Sequence, residues 1–173
     1  MSQDEIQGKA VPDGLGGAYG AYDMLSHAYP DALGYANVIN GDVTIDVATD
    51  EGMAIVESFR AGEAMHPDHD TEGKMAGSLA ELRKKIGNVQ VATRRVEYSR
   101  RSSEKLMDEV TELAEEFKSA LIFQSGVHQP TGRIVLHMET LTDAVAAAIV
   151  DRYGTEKVVV VLEPAPIMNG GVG

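Results

Sequence analysis

Two imidazoles and three carboxylates fall within seven residues at His66, Asp68, His69, Asp70 and Glu72, in the run HPDHDTE. Imidazole nitrogens and carboxylate oxygens are ligands for divalent metals, and a short loop brings His66 and His69 within reach of one ion. The metal set this predicts is His66, Asp68, His69 and Asp70. The competing reading is an acidic, solvated loop, because His-x-Asp-His has no fixed ligand geometry of its own. Ser26 and His27 are adjacent in MLSHAYP. With an aspartate nearby they would form a hydrolase triad, but no nucleophile elbow supports them. His128 and His137 lie near the second hairpin, and alternation turns His137 away from Leu136 and Met138, predicting a surface imidazole; the alternative is a pH-responsive contact. GLGGAYG has the glycines of a phosphate loop but no preceding strand and no closing Lys-Ser/Thr. Cysteine is absent, which excludes disulfides, thiolate catalysis and cysteine-based zinc sites. No catalytic constellation emerges, so the chain reads as a non-enzyme.

Net charge across the 173 residues is −12, which disfavours nucleic acid and anionic membranes as partners. The positive charge is concentrated all the same. Arg83, Lys84, Lys85, Arg94, Arg95, Arg100, Arg101 and Lys105 lie in one window, opposed only by Glu97 and Glu104. This is either a solvated face balancing the acidic remainder or a patch for an acidic protein, centred on Arg94, Arg95, Arg100 and Arg101. No apolar run approaches the ~18 residues of a membrane span. The first residues, MSQDEIQGKAVPDG, lack the basic and apolar regions of a signal peptide.

The elements that would position these residues follow from periodicity. Residues 1–33 read as a flexible, glycine-rich lead. Asn40-Gly41 is a two-residue hairpin turn, after which Val43, Ile45 and Val47 alternate with polar residues as a half-buried strand. Asp50 is placed to cap a helix whose Ile55, Val56 and Phe59 share a face. Residues 61–77 read as an inserted loop. Ser78 and Glu81 form a capping-box pattern for a short helix stopped at Gly87. A strand covers Val89 to Val96, and a long amphipathic helix follows with Leu106, Val110, Leu113, Ala114 and Phe117 on one face.

The pattern then repeats. A short strand at Leu121 to Phe123 and a turn at Pro130, Thr131 and Gly132 lead to Ile134, Leu136 and Met138, which alternate as Val43, Ile45 and Val47 do. An alanine-rich helix starts at Thr140 or Thr142 and closes at Gly154. Val158 to Leu162 is an uninterrupted apolar strand, predicted to be buried on both faces or central. The expected architecture is α+β: two β-β-α-β units with antiparallel sheets backed by helices, in residues 34–118 and 119–164, packed as one cooperative domain. A loose tail occupies 165–173.

This order, with RRVEYSRRSSEKL, PTGRIVLHM and RYGTEKVVVV at its corners, resembles the pro-region of secreted serine proteases of the alpha-lytic protease and streptogrisin type. It also resembles uncharacterised exported actinobacterial proteins of the same layout. The resemblance covers roughly Gly34 to Pro164. It implies export and a folding-assistant or inhibitor role toward a secreted serine protease. The last strand, Val158, Val159, Val160, Val161 and Leu162, would extend the partner's sheet. The tail, with Pro164, Ala165, Pro166, Ile167 and Met168, would occupy its substrate cleft. No Gly-Asp-Ser-Gly nucleophile motif is present, so on this reading the chain is free-standing or a fragment. The insertion at 61–77 departs from the family. Two other readings stand beside it: a metal-binding protein or metalloenzyme built on the His66–Glu72 loop, and a self-assembling protein whose edge strands pair between copies. No cofactor is implied beyond that divalent metal.

Overall fold

The structure is a computed structural model that describes residues 14–67, 70, 73–116, 122–128, 131 and 133–165. The chain divides between Arg100 and Arg101 into two compact units. The first holds α1 (Leu15–Ala28), β1 (Leu33–Ile39), β2 (Asp42–Val47), α2 (Asp50–Ala61), α3 (Lys74–Arg83) and β3 (Val91–Arg95). The second holds nearly all of α4 (Arg100–Glu116), then β4 (Ile122–His128), β5 (Arg133–Met138), α5 (Asp143–Lys157) and β6 (Val158–Leu162).

In the first unit Ile39 pairs with Asp42, leaving Asn40-Gly41 as the turn, with φ of 54° and 90°. Those angles suit the right-handed twist of a hairpin and are open to Asn and Gly at little cost. Thr49, one residue before the expected cap, starts α2: its hydroxyl accepts from the Gly52 N–H at 3.0 Å. α2 carries the chain back across the sheet, and β3 runs parallel to β2, with Val43 opposite Val91 and Val47 opposite Arg95. The order is β1-β2-β3. Tyr22, Leu25, Leu33, Ile45, Val47, Val56, Phe59 and Leu79 fill the core between helices and sheet.

The second unit repeats this path. β4 and β5 are antiparallel, Thr142 caps α5 by accepting from the Val145 N–H at 3.3 Å, and β6 returns parallel to β5. Ile134 lies opposite Val158 and Met138 opposite Leu162, the same five-residue register as β2 with β3. Both hairpins carry an extra residue at the same place, opposite Asp46 in one and opposite His137 in the other. Val43, Ile45, Val47 and their counterparts Ile134, Leu136, Met138 are all 0% exposed. The second core adds Leu106, Val110, Val145, Ile149 and Tyr153.

The α+β class and the two β-β-α-β units agree with the sequence reading; several details differ. The sheets are mixed, because a helical crossover returns a strand in the direction it left, so the third strand must be parallel. Each unit has its own core cluster, supplied by its own helices. The boundary falls at Arg100 rather than after residue 118, since Leu106 and Val110 of α4 pack in the second core. Residues 15–28 of the supposed lead are α1, which buries Ala18, Ala21, Tyr22, Leu25 and Ala28. The supposed loop 61–77 is structured in part: Met65 belongs to the core and Lys74 already begins α3. β4 extends to His128, well beyond Phe123. Gly154, with φ 69° and ψ −177°, breaks the last turn of α5 shortly before β6.

Candidate functional site

β6 lies at one edge of the sheet ordered β4-β5-β6, so the expectation of a central or fully buried strand is corrected. An apolar run arises here because β6 packs Val158 and Val160 on the core while Val159 and Val161 stay half-buried on the other face. Leu162 is 58% exposed. None of the five residues is charged or proline, the usual means of blunting an edge. The Glu163 N–H donates to the Met138 carbonyl at 3.2 Å, and the Glu163 carboxylate lies 2.7 Å from His137 Nδ1. His137 thus sits on the surface side of β5, as alternation predicts, and its imidazole is engaged by Glu163 at the end of this strand. Pro164 and Ala165 continue from it; Pro166, Ile167 and Met168 lie outside the described residues.

The arginine-rich window is largely answered within its own unit. Arg94 grips Asp46 with two parallel bonds, Nε to Oδ1 at 2.7 Å and Nη2 to Oδ2 at 2.8 Å. Arg95 meets Asp50 at 3.0 Å on the surface. Arg100 reaches Asp23 at 3.2 Å and Ser26 Oγ at 3.3 Å, and its guanidinium stacks 4.8 Å from the Tyr35 ring centroid. Arg101 also has an interaction partner. Three of the four cations expected to face an acidic partner thus hold acidic groups of this chain, which is the balancing role of a solvated, internally paired face.

Ser26 is fully buried; its hydroxyl donates to the Gly34 carbonyl and accepts from Arg100. His27 faces Asp23, at 3.8 Å, one turn away on the exposed side of α1. The serine is closed to solvent, and among the described residues its hydroxyl meets the Gly34 carbonyl and Arg100 rather than an imidazole, which does not fit a hydrolase triad. In the histidine-rich loop, Asp70 turns back onto α3 and accepts from the Met75 N–H at 3.1 Å and the Ala76 N–H at 2.7 Å. The Ala76 bond above all holds the Asp70 carboxyl below its ordinary value. This is a helix cap displaced to a side chain three residues before Gly73, and it replaces the predicted Ser78–Glu81 box. The His66 N–H donates to the Tyr29 hydroxyl at 3.0 Å. Asp68, His69 and Glu72 lie outside the described residues, among which no three potential ligands converge.

Two features escaped the sequence reading. Alternation placed Thr44 and Asp46 toward solvent, yet β2 is buried on both faces and Asp46 is 2% exposed. Burial raises the Asp46 carboxyl above its ordinary value, against the pull of Arg94 and of the Asn37 amide, which donates to Oδ2 at 3.2 Å. An Asp on one strand and an Arg at the registered position of a parallel neighbour is the only trace this pair leaves in the sequence. The second feature is a groove of about 490 Å³ lined by Tyr22, Arg60, Arg83, Ile86, Gly87, Val89, Gln90 and Val91. No family model matches the chain, and neither a curated protein nor a solved structure matches it significantly.

Proposed function

We propose that the protein is a non-catalytic binding module whose β6 edge adds a strand to the sheet of a partner protein. The observation that carries this is the edge itself: five uncharged apolar residues, Val158–Leu162, ending in an exposed Leu162 and leading directly into the 165–173 segment. Main-chain hydrogen bonds along such an edge supply affinity, and alternate side chains supply selectivity. The partner class that fits the sequence resemblance is a secreted serine protease of the streptogrisin type, with the 165–173 segment in its substrate cleft. The buried Ser26 and the capping role of Asp70 support a non-catalytic reading.

The test is inhibition of several streptogrisin-type proteases by the full chain, by a chain ending at Pro164, and by Leu162→Lys. The full chain inhibits at micromolar concentration. The shortened chain retains its circular dichroism and loses inhibition. Leu162→Lys weakens it, because a lysine on an edge opposes strand addition. A full chain that slows none of the proteases overturns the inhibitor reading.

A further inference from the structure

The groove in the first unit is built where three helices and a turn meet. Arg60 is in the last turn of α2, Arg83 in the last turn of α3, Tyr22 is on α1, and Ile86 to Val91 lead into β3. Cations suit helix C-termini, which accounts for arginine at these positions. What that does not account for is their partners. Arg94, Arg95, Arg100 and Arg133 each hold a carboxylate. Arg60 bonds only neutral oxygens, with Nε to the Tyr22 hydroxyl at 3.3 Å and Nη2 to the Val91 carbonyl. Arg83 likewise bonds only the Glu63 carbonyl, Nη1 to oxygen at 3.4 Å. Among the described residues neither has an acidic partner, in a chain whose net charge is −12.

A guanidinium has five N–H donors and keeps its charge at all accessible pH. Among the described residues these contacts leave most donors of both arginines unmet, and both line the same open cavity of about 490 Å³. The Tyr22–Arg60–Val91 bonds fix the first guanidinium in place, so little ordering is lost when it meets an anion. Ile86, Val89 and Val91 give the groove an apolar side, and Gln90 adds an amide.

We propose that this groove is a binding site for a small organic phosphate, a phosphomonoester with a compact apolar or aromatic body. The dianionic head lies between Arg60 and Arg83, which as forked donors match several phosphate oxygens at once. The body lies along Ile86, Val89 and Val91. The volume suits a ligand of that size. This site belongs to the first unit and is independent of the strand-addition reading of β6.

The full chain labelled with nitrogen-15 is titrated at constant ionic strength with phenyl phosphate, inorganic phosphate, benzoate and benzyl alcohol, following amide and side-chain N–H signals. Phenyl phosphate gives saturable shifts at residues 86–91, at the Gln90 side chain and at the Arg83 Nε–H. Inorganic phosphate shifts the same signals about tenfold more weakly, benzoate is also weaker, and benzyl alcohol shifts nothing. Arg83→Gln, which removes one bond to an exposed carbonyl, keeps the melting curve and weakens phenyl phosphate about tenfold or more. Arg60→Gln also weakens phenyl phosphate, with its fold checked separately because Arg60 ties α1 to β3. Absence of saturation with phenyl phosphate, or unchanged affinity in Arg83→Gln, overturns the site. Benzoate binding as tightly as phenyl phosphate overturns the phosphate assignment. Inorganic phosphate binding as tightly overturns the apolar body.

Discussion

Replacing Arg94 by Ala isolates the buried ion pair of the first unit. The Asp46 side chain is 3% exposed and the Arg94 side chain 23%. Removal of the arginine leaves a carboxylate out of water with one remaining side-chain donor, Asn37 at 3.2 Å. Breaking a buried pair in this way costs about 3–5 kcal/mol, a large share of the ~5–15 kcal/mol that holds a domain folded. The cost depends on pH, and its sign follows from burial. In the native chain desolvation already raises the Asp46 carboxyl above 3.8, with Arg94 the main opposing influence. Without Arg94 the folded-state value rises further, while the unfolded value stays ordinary.

The folded variant then binds the Asp46 proton more tightly than the unfolded chain does. Its stability therefore falls as pH rises from the unfolded value through the folded one, and is level above that. At acid pH the protonated side chain is neutral, and only lost hydrogen bonds remain, about 1–2 kcal/mol. Urea melts of native and variant chains, followed by circular dichroism between about pH 4.5 and 7.5, give the penalty at each pH. It should grow with pH and approach the full buried-charge cost at the upper end. The double variant Asp46→Asn, Arg94→Ala should show no such growth, because the titrating group is gone. A penalty that is constant across the range, or below about 1 kcal/mol throughout, refutes the reasoning.

Gly52→Ala should destabilise the first unit by about 1–3 kcal/mol, although alanine in a helix is ordinarily favoured over glycine by up to ~1 kcal/mol. A methyl group there would collide with the Ala32 carbonyl, where α2 crosses the chain entering β1; thermal melts measure the loss. Asp70→Asn should weaken the start of α3. The native carboxyl is held below 3.8 by backbone N–H groups, so its contribution is present above that pH and lost as pH falls through the folded value. The variant should lose that part of the acid limb in melts compared across acid pH, and an unchanged acid limb would contradict the capping role.

How much was legible in the sequence follows from which forces act locally. Asn40-Gly41 declares its turn because few residues accept positive φ, and the paired triplets Val43, Ile45, Val47 and Ile134, Leu136, Met138 declare two strands by their spacing. α1 gives little signal because four of its six buried residues are alanine or serine, and Gly16, Gly17 and Gly20 share the helix, so burial there produces little hydrophobic contrast. The order of elements from β1 onward and the twofold repeat of β-β-α-β were therefore determined by the sequence alone, through turn chemistry and the periods of strand and helix. Which strand lies at an edge, which carboxylate each arginine holds, and which two arginines are left facing a shared groove were decided only by the tertiary structure. These are matters of register and proximity between residues distant along the chain, such as the 48 positions from Asp46 to Arg94, and no local spacing encodes them.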